Sequence, residues 1–434
     1  MNQSPTKEKP LKPFLILWGG QAASLFGSQL VQFALIWWLT TTTGSATVLA
    51  LASLMGLLPQ VVLGPFVGVL VDRWNRRLTM LLADGLVAMA TVVLVLLFWS
   101  GQAAVWQVYV VLFVRALGGA FHWPAMQSST TLMVPQEYFT RIQGLNQTLN
   151  GSLNIVSAPL GALLLGVLPM QGVLMIDVIT AVFAIIPLLI IHIPQPENTT
   201  RPSGQPANFW REFWTDMAAG LRYLRAMPAL MLLMGMAMIV NLVLNPAFSL
   251  VPLLVTNHFQ GSALQLGFIE SSFGVGLLVG GLLLSVWGGF HRRIVTSLVG
   301  LIGMGLAILL VGLTPAYLFW LAVAATFVIG FSNSLTNGPV LALFQVLVVP
   351  EMQGRIFTLL TSLSAAMAPL GLILAGPLAD QLGVRTWFLI GGSVTLLMGI
   401  AGFFIPMILS IEDATAPESS GKPLAETAVA DPTI

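Results

Sequence analysis

Twelve apolar runs, each long enough to cross a lipid bilayer, follow one another along this chain of 434 residues. A transmembrane helix needs about 20 mostly apolar residues. Only 8% of the residues are charged and 56% are hydrophobic, whereas soluble domains carry roughly 25% charged residues. The sequence therefore predicts an all-α integral membrane protein with twelve transmembrane helices. The runs are 14–39, 46–71, 78–99, 104–133, 142–168, 172–193, 228–255, 263–288, 294–313, 315–348, 356–379 and 385–409.

The lysine and arginine residues divide unequally between the two sides of these spans. Of the 17 Lys and Arg residues, 15 lie on one side, Arg385 lies on the other and Arg115 lies within a span. Positive charge collects in cytoplasmic loops, so both termini are expected in the cytoplasm. The basic N-terminus precedes a first span too long for a cleaved signal peptide. We expect a multi-pass protein of the bacterial cytoplasmic (inner) membrane, a location that the lack of cysteine fits.

The two halves of the chain repeat short patterns at corresponding places, which is typical of two six-helix bundles made by duplication. The expected division is a cytoplasmic N-terminus at 1–12, a first bundle at 13–193, a cytoplasmic linker with an amphipathic helix at 194–227, a second bundle at 228–410 and a disordered cytoplasmic tail at 411–434. The repeated patterns are Arg76-Arg77-Leu78 with Arg292-Arg293-Ile294, Arg141-Ile142 with Arg355-Ile356, and Ala158–Gly161 with Ala368–Gly371.

A charged loop joins the second and third spans. It reads Gly-x-x-x-Asp-Arg-x-x-Arg-Arg, and its small residues are expected to let two helices approach closely just before the charges. By itself such a cluster is also compatible with a simple cytoplasmic anchor of positive charge. The pattern resembles the signature that joins these helices in major facilitator superfamily transporters, where it acts in gating. Its residues here are Gly64, Gly68, Asp72, Arg73, Arg76 and Arg77.

Several longer segments resemble the macrolide-efflux branch of the major facilitator superfamily, over about residues 13–410. The resemblance implies the major facilitator fold and a proton-coupled exporter of bulky hydrophobic drugs, macrolides among them. It implies no cofactor, since the proton motive force supplies the energy. The segments are Gly20–Ser24, Thr43–Ala46, Gly64–Arg77, Ala120–Ala125 and Gly354–Phe357.

Two places depart from the patterns of that family. The antiporter signature of the fifth span, Gly-Pro-x-x-Gly-Gly, reads Ala158-Pro159-Leu160-Gly161-Ala162 here. The second-half copy of the loop motif has Gly288-Gly289 where the first copy has Asp72-Arg73. The second departure predicts asymmetric gating.

Four ionisable residues other than histidine lie well inside spans, namely Asp84, Arg115, Asp177 and Glu270. A charge there costs about 3 kcal/mol on insertion scales, so each is a candidate for proton coupling. Glu270 is the first choice and Asp177 the second, because a desolvated carboxylate can bind and release a proton. Arg115 resembles the fourth-helix arginine that the family uses in proton transfer.

Structural roles remain open for several of these residues. Asp177 could be a structural partner near the interface. Asp84 could pair locally with the cluster Arg73–Arg77. For His122 and His192 a packed or interfacial role is favoured.

Uncharged polar residues on several spans outline a candidate substrate cavity. Polar groups would be unsatisfied in lipid, so these faces are expected to point inward, and helix–helix hydrogen bonding is the alternative role. A mostly apolar cavity with a few polar groups suits a large amphipathic substrate. The candidates are Gln21, Gln32, Asn150, Asn154, Asn241, Asn245, Asn333 and Asn337.

The expected partners are a small hydrophobic substrate, protons and the lipid bilayer, and the expected state is a monomer. No metal site is expected, and the net charge of +1 argues against nucleic acid. Gly421-Lys422 in the tail lacks the context of a phosphate-binding loop, so ATP could act only through an accessory partner that the sequence does not identify. The alternatives are transport of another amphipathic metabolite or lipid, a non-transporting sensor and a membrane enzyme.

Overall fold

The computed structural model describes residues 11–195 and 209–413. The predicted N-terminal segment up to residue 10, the proline-rich part of the linker at 196–208 and the predicted tail from residue 414 lie outside the described residues. So do the side chains of Asp72 and Arg73 in the loop motif. Within the described ranges the chain is almost wholly helical, and no β-strand is present.

Six long helices precede the linker. They are α1 (Leu11–Thr43), α2 (Ala46–Arg73), α3 (Arg76–Trp99), α4 (Val105–Met133), α5 (Phe139–Val167) and α6 (Met170–Ile190).

The linker and the second half contribute nine helices within the described residues, of which two are very short. They are α7 (Phe209–Ala226), α8 (Pro228–Ser249), α9 (Val251–Leu253), α10 (Ala263–Trp287), α11 (Arg293–Leu313), α12 (Phe319–Leu347), α13 (Pro350–Leu382), α14 (Val384–Phe404) and α15 (Pro406–Leu409).

Twelve helices in the described part of the chain are long and apolar enough to span a membrane, namely all except α7, α9 and α15. This confirms the prediction of an all-α membrane protein with twelve spans.

The seventh span differs from the uninterrupted helix expected over 228–255. Helix α8 ends at Ser249, and α9 is followed by one π-helical turn over Leu254–His258. Pro252 lies in this segment, and a proline has no backbone N–H to continue a helical ladder. The helix is therefore interrupted close to its predicted end.

A glycine ends α1, and side-chain caps begin α2 and α3. Gly44 has a positive φ of 60°, a conformation that glycine adopts without steric cost, and it ends α1. Ser45 then caps α2, because its side-chain oxygen accepts a hydrogen bond from the amide of Val48 at 3.4 Å. Asn75 caps α3 in the same way through the amide of Leu78, at 3.1 Å. Such caps satisfy amides that have no partner within the helix.

The contacts divide the chain into two compact units. The first contains Met1–Arg201 with the short stretches Ser249–Ser271 and Ala375–Gln381, and the second contains the rest. In the first unit α1 packs on α5 and α6, and α4 packs on α2 and α3. In the second unit α11 packs on α12 and α14.

Glycines allow several of these helix pairs to approach closely. A β-carbon at Gly27 of α1 would lie only 2.1 Å from Thr180 Oγ1 on α6. A β-carbon at Gly276 of α10 would lie 2.1 Å from the carbonyl oxygen of Phe327 on α12. Membrane helices commonly associate through small residues in this manner.

Helix α7 of the linker packs within the second unit. Leu224 is fully buried in an apolar cluster with residues of α8, α11, α12 and α13, and Met217 packs against the same cluster. Arg222 and Arg225 are exposed. The apolar face of this amphipathic helix therefore covers the ends of neighbouring spans.

Candidate functional site

An ion pair lies between α4 and α6 in the first unit. A guanidinium nitrogen of Arg115 contacts the Asp177 carboxylate, and the side chains are only 9% and 2% exposed. Ser28 Oγ of α1 donates to Asp177 Oδ1 at 2.8 Å, and Thr91 Oγ1 of α3 lies 3.1 Å from Oδ2. The second guanidinium nitrogen donates to the backbone oxygen of Ser28 at 3.0 Å. Both charges are thus paired and hydrogen-bonded, which buried charges require. The placement fits the alternative of a structural role for Asp177.

A second polar group of residues lies on α1, α3 and α4, which are three of the four helices that contribute to the ion-pair group. Gln21 Nε2 donates to Asp84 Oδ2 at 3.0 Å, and His122 Nε2 lies 3.5 Å from Asp84 Oδ1. The side chains of His122 and Asp84 are 13% and 12% exposed. His122 Nε2 is buried and makes no hydrogen bond with the described residues.

These partners of Asp84 are not the ones considered from the sequence. Arg76 donates to the backbone oxygen of Ser128 on α4, and Arg77 donates to the carbonyls of Leu188 and Leu189 near the end of α6. Cations at the carboxyl end of a helix satisfy carbonyls that have no partner within it. The two arginines therefore tie α3 to α4 and α6.

The two polar groups form two layers across the same three helices, and the spacing between the layers is the same on each helix. Each layer takes one residue from α1 (Gln21 or Ser28), one from α3 (Asp84 or Thr91) and one from α4 (His122 or Arg115), and the members on each helix are seven positions apart. Seven residues are about two helical turns, or roughly 10 Å along the axis. We call the first set the Asp84 layer and the second the Asp177 layer.

Glu270 of α10 has a different environment. Its side chain is exposed and makes no hydrogen bond or ion pair with any residue that the structure describes. The neighbouring Ser271 donates to the backbone oxygen of Ile155 on α5, and Gly267 packs against Pro159 of α5. An exposed carboxylate within a span is costly against lipid, so a water-filled cavity is the setting that suits it.

The substrate-cavity candidates fall in both units. In the first unit Asn150 and Asn154 are exposed, Gln32 is half-buried, and Gln21 is buried against Asp84. In the second unit two asparagine pairs bond one turn apart: Asn245 donates to Asn241 Oδ1 at 3.1 Å, and Asn337 donates to Asn333 Oδ1 at 3.2 Å. Both pairs bond within a single helix, so they do not supply the hydrogen bonding between helices that was the alternative role.

The loop motif shows one departure from expectation. Within the described part of the chain, nothing lies within 4 Å of a β-carbon built on Gly64, so no other helix approaches closely at this glycine. The backbone contacts of Arg76 and Arg77 connect this loop to the bundle instead.

Sequence reasoning missed Asp380 in the last turn of α13. Its carboxylate accepts hydrogen bonds from Ser45 Oγ at 3.0 Å and from the amides of Ala46 and Thr47 at 2.6 and 3.0 Å. A carboxylate is favoured at the positive amino end of a helix. The only signal available from the sequence was the Gly44-Ser45 turn. This turn predicts the beginning of a helix, but it does not predict which residue, more than 330 positions away, accepts its hydrogen bonds.

The comparisons with known proteins agree with this architecture. The sequence profile of the Major Facilitator Superfamily matches residues 17–371 and 237–431. The chain is 38% identical to "Macrolide efflux protein A" of Streptococcus pyogenes over 398 residues, which cover 92% of this chain and 96% of that protein. It is 27% identical to "Multidrug efflux pump Tap" of Mycolicibacterium fortuitum over 426 residues, which cover 95% of this chain and 99% of that protein.

Solved structures show the same fold at low identity. The nucleoside transporter NupG superposes with a TM-score of 0.65 at 15% identity, covering 92% of this chain and all of that one. A bacterial homologue of the human lysosomal transporter Spinster superposes with a TM-score of 0.64 at 16% identity. The superposition covers 94% of this chain and 96% of that one.

The chain therefore belongs to the Major Facilitator Superfamily, in its macrolide-efflux branch, and is a transporter rather than an enzyme. This confirms the family and the fold predicted from the sequence.

Proposed function

We propose that this transporter exports macrolides and related bulky hydrophobic compounds from the bacterial cytoplasm in exchange for protons. The similarity to "Macrolide efflux protein A" carries the proposal, because it extends over nearly the whole of both chains. The similarity to "Multidrug efflux pump Tap" supports a broad range of substrates. The distribution of Lys and Arg supports a cytoplasmic location for both termini.

Proton exchange is favoured by the ionisable residues within the spans. Export against a gradient needs a source of energy, and no phosphate-binding loop is present in the sequence. The permanent charge of Arg115 is neutralised by Asp177, whereas Glu270 has no partner among the described residues. In alternating access, a carboxylate that faces a cavity can be relieved of its charge by a proton from one side and can lose that proton on the other.

The test uses cells that lack their own drug pumps, with and without expression of this protein. Tolerance of a panel of macrolides and unrelated hydrophobic drugs should rise only with expression. Export should stop when a protonophore dissipates the proton gradient, and it should persist when ATP is depleted while the gradient is held. Export that follows ATP at a fixed gradient would exclude proton exchange. An unchanged tolerance of the whole panel, with export of a lipid or metabolite instead, would favour the alternative substrate class.

A further inference from the structure

We propose that Asp84, which Gln21 holds in place, and His122 form a proton-binding site of the first unit, and that protons are exchanged there during export. This inference rests on the proposed proton exchange and assigns it to a particular pair of side chains. Its basis is the contrast between the Asp84 layer and the Asp177 layer, which share three helices but differ in charge.

The charges of the Asp177 layer cancel. An arginine side chain is positively charged at physiological pH, and the guanidinium of Arg115 faces the Asp177 carboxylate directly. Ser28 and Thr91 complete the hydrogen bonds of that carboxylate. The Asp177 layer is therefore neutral overall, and both of its charged groups are hydrogen-bonded.

The Asp84 layer is incomplete without a proton. Asp84 accepts one hydrogen bond, from Gln21, and its other oxygen faces His122 Nε2 at 3.5 Å. That distance is longer than the roughly 2.8 Å of a charge-assisted hydrogen bond, and His122 Nε2 has no hydrogen bond within the described chain. With His122 neutral, the layer carries one uncompensated negative charge. One proton shared by the pair removes this charge and supplies the missing hydrogen bond.

Histidine is the side chain whose charge normally changes between about pH 5 and pH 8. Few other charges face the pair. Helix α6 contributes Asp177 and α4 contributes Arg115, which neutralise one another. Helix α1 contributes the uncharged Gln21, and α3 carries Arg76 and Arg77 two turns away, bound to carbonyls. The ionisable residues of α2 are Asp72 and Arg73, whose side chains lie outside the described part.

Two features connect this pair to the rest of the first unit. Pro124 lies inside α4 two positions after His122, and a proline interrupts the backbone hydrogen bonds of its helix. Phe121, the neighbour of His122, stacks on Trp74 with the ring centroids 5.7 Å apart. Trp74 follows directly on the Asp72-Arg73 pair of the loop motif. A shorter distance between Asp84 and His122 would therefore move a part of α4 in which Pro124 interrupts the backbone hydrogen bonds. Through Phe121 this part of α4 contacts Trp74, between α2 and α3.

The experiment uses inverted membrane vesicles, the full chain and radiolabelled erythromycin. An imposed difference of about one pH unit supports about tenfold accumulation when one proton is exchanged per molecule. Asp84→Asn and His122→Gln should still equilibrate erythromycin across the membrane but should not concentrate it. His192→Gln, which alters an exposed histidine after α6, is the matched control and should concentrate it like the wild type.

The outcomes separate this inference from the proposed function. If the wild type equilibrates erythromycin but does not concentrate it, proton exchange itself is wrong. If the wild type concentrates erythromycin and either variant does so equally well, the Asp84–His122 site is wrong.

If a variant transports no erythromycin at all, a second measurement still tests whether Asp84 binds a proton. Infrared difference spectra of the purified protein between about pH 5 and pH 8 report protonated carboxyl groups directly. We expect a carboxyl band that is missing in Asp84→Asn and whose midpoint shifts in His122→Gln. An identical band with the same midpoint in both variants would overturn the proposal.

Discussion

Two carboxylates inside the spans, Asp177 and Glu270, have opposite environments, and this contrast predicts different roles for them. Asp177 is almost completely buried and meets a guanidinium and two hydroxyl groups. Glu270 is exposed and has no partner in the described chain. Removing one partner of a compensated buried charge is strongly destabilising, whereas an uncompensated charge within a span is a candidate for binding protons or substrate.

Glu270→Gln resembles the protonated residue permanently. We expect this variant to keep downhill movement of a macrolide and to lose most of the accumulation driven by a pH difference, because the residue can no longer release a proton. Transport into inverted vesicles measures both. Glu137→Gln, an exposed residue in the α4–α5 loop, is the control and should match the wild type. If the Glu270→Gln variant still concentrates macrolide, Glu270 is excluded from coupling.

Asp177→Asn should damage the fold and every mode of transport together. Removing one partner of a buried ion pair leaves the other charge uncompensated and costs about 3–5 kcal/mol. Thermal unfolding of the purified protein measures the loss. The double variant Asp177→Asn with Arg115→Gln should recover part of the stability, because no isolated charge remains. Equal stability of the single variant and the wild type would contradict the structural role.

At the scale of elements, the amino end of α2 is the clearest case of a helix completed by a distant residue. Three hydrogen bonds join Asp380 of α13 to Ser45, Ala46 and Thr47. A β-carbon at Gly376, one turn before Asp380, would lie 2.9 Å from Thr47 Cα. The backbones are thus in close contact here, and the carboxylate satisfies amides that would otherwise need water.

Asp380→Ala should loosen the beginning of α2. Loss of a helix cap costs about 0.5–2 kcal/mol, and Asp380→Asn should cost less because the amide oxygen can still accept. Hydrogen exchange followed by mass spectrometry should show faster exchange in peptides that cover residues 44–50. Asp413→Asn, which alters an exposed ion pair with Arg292, provides the control. Unchanged exchange in the alanine variant would show that the cap is dispensable.

At the scale of the whole molecule, the twelve spans and the charge distribution predict one topology, with both termini in the cytoplasm. A reporter that is active only in the cytoplasm should give a signal after Pro202 and after Glu412, because basic residues concentrate on that side. A fusion after Gly101, in the loop between α3 and α4, should be inactive and is the control. A silent reporter at Pro202 or Glu412 would overturn the proposed orientation.

The sequence was sufficient to predict the twelve spans and the family, because hydropathy and short motifs are local properties of the chain. It also identified Arg115, Asp177 and Asp84, since any charge within a span is costly. It did not predict the pairing of Arg115 with Asp177 or of Asp84 with His122, because a partner depends on helix rotation and packing. Asp380 was missed altogether: a carboxylate at the end of a span looks like an ordinary loop residue until α2 is placed beside it.

The common register of the two polar layers has a consequence for how this part of the chain can change in length. Each of the three helices must bring its two layer residues to the same face, seven positions apart. One residue inserted between them would turn the following part of the helix by about 100° and move one partner out of its layer. In a scan of single-residue insertions, we expect 22–28, 85–91 and 116–122 to be among the least tolerant stretches of the first unit. Substitutions of the apolar residues in the same stretches should be accepted far more often, because they leave the register intact.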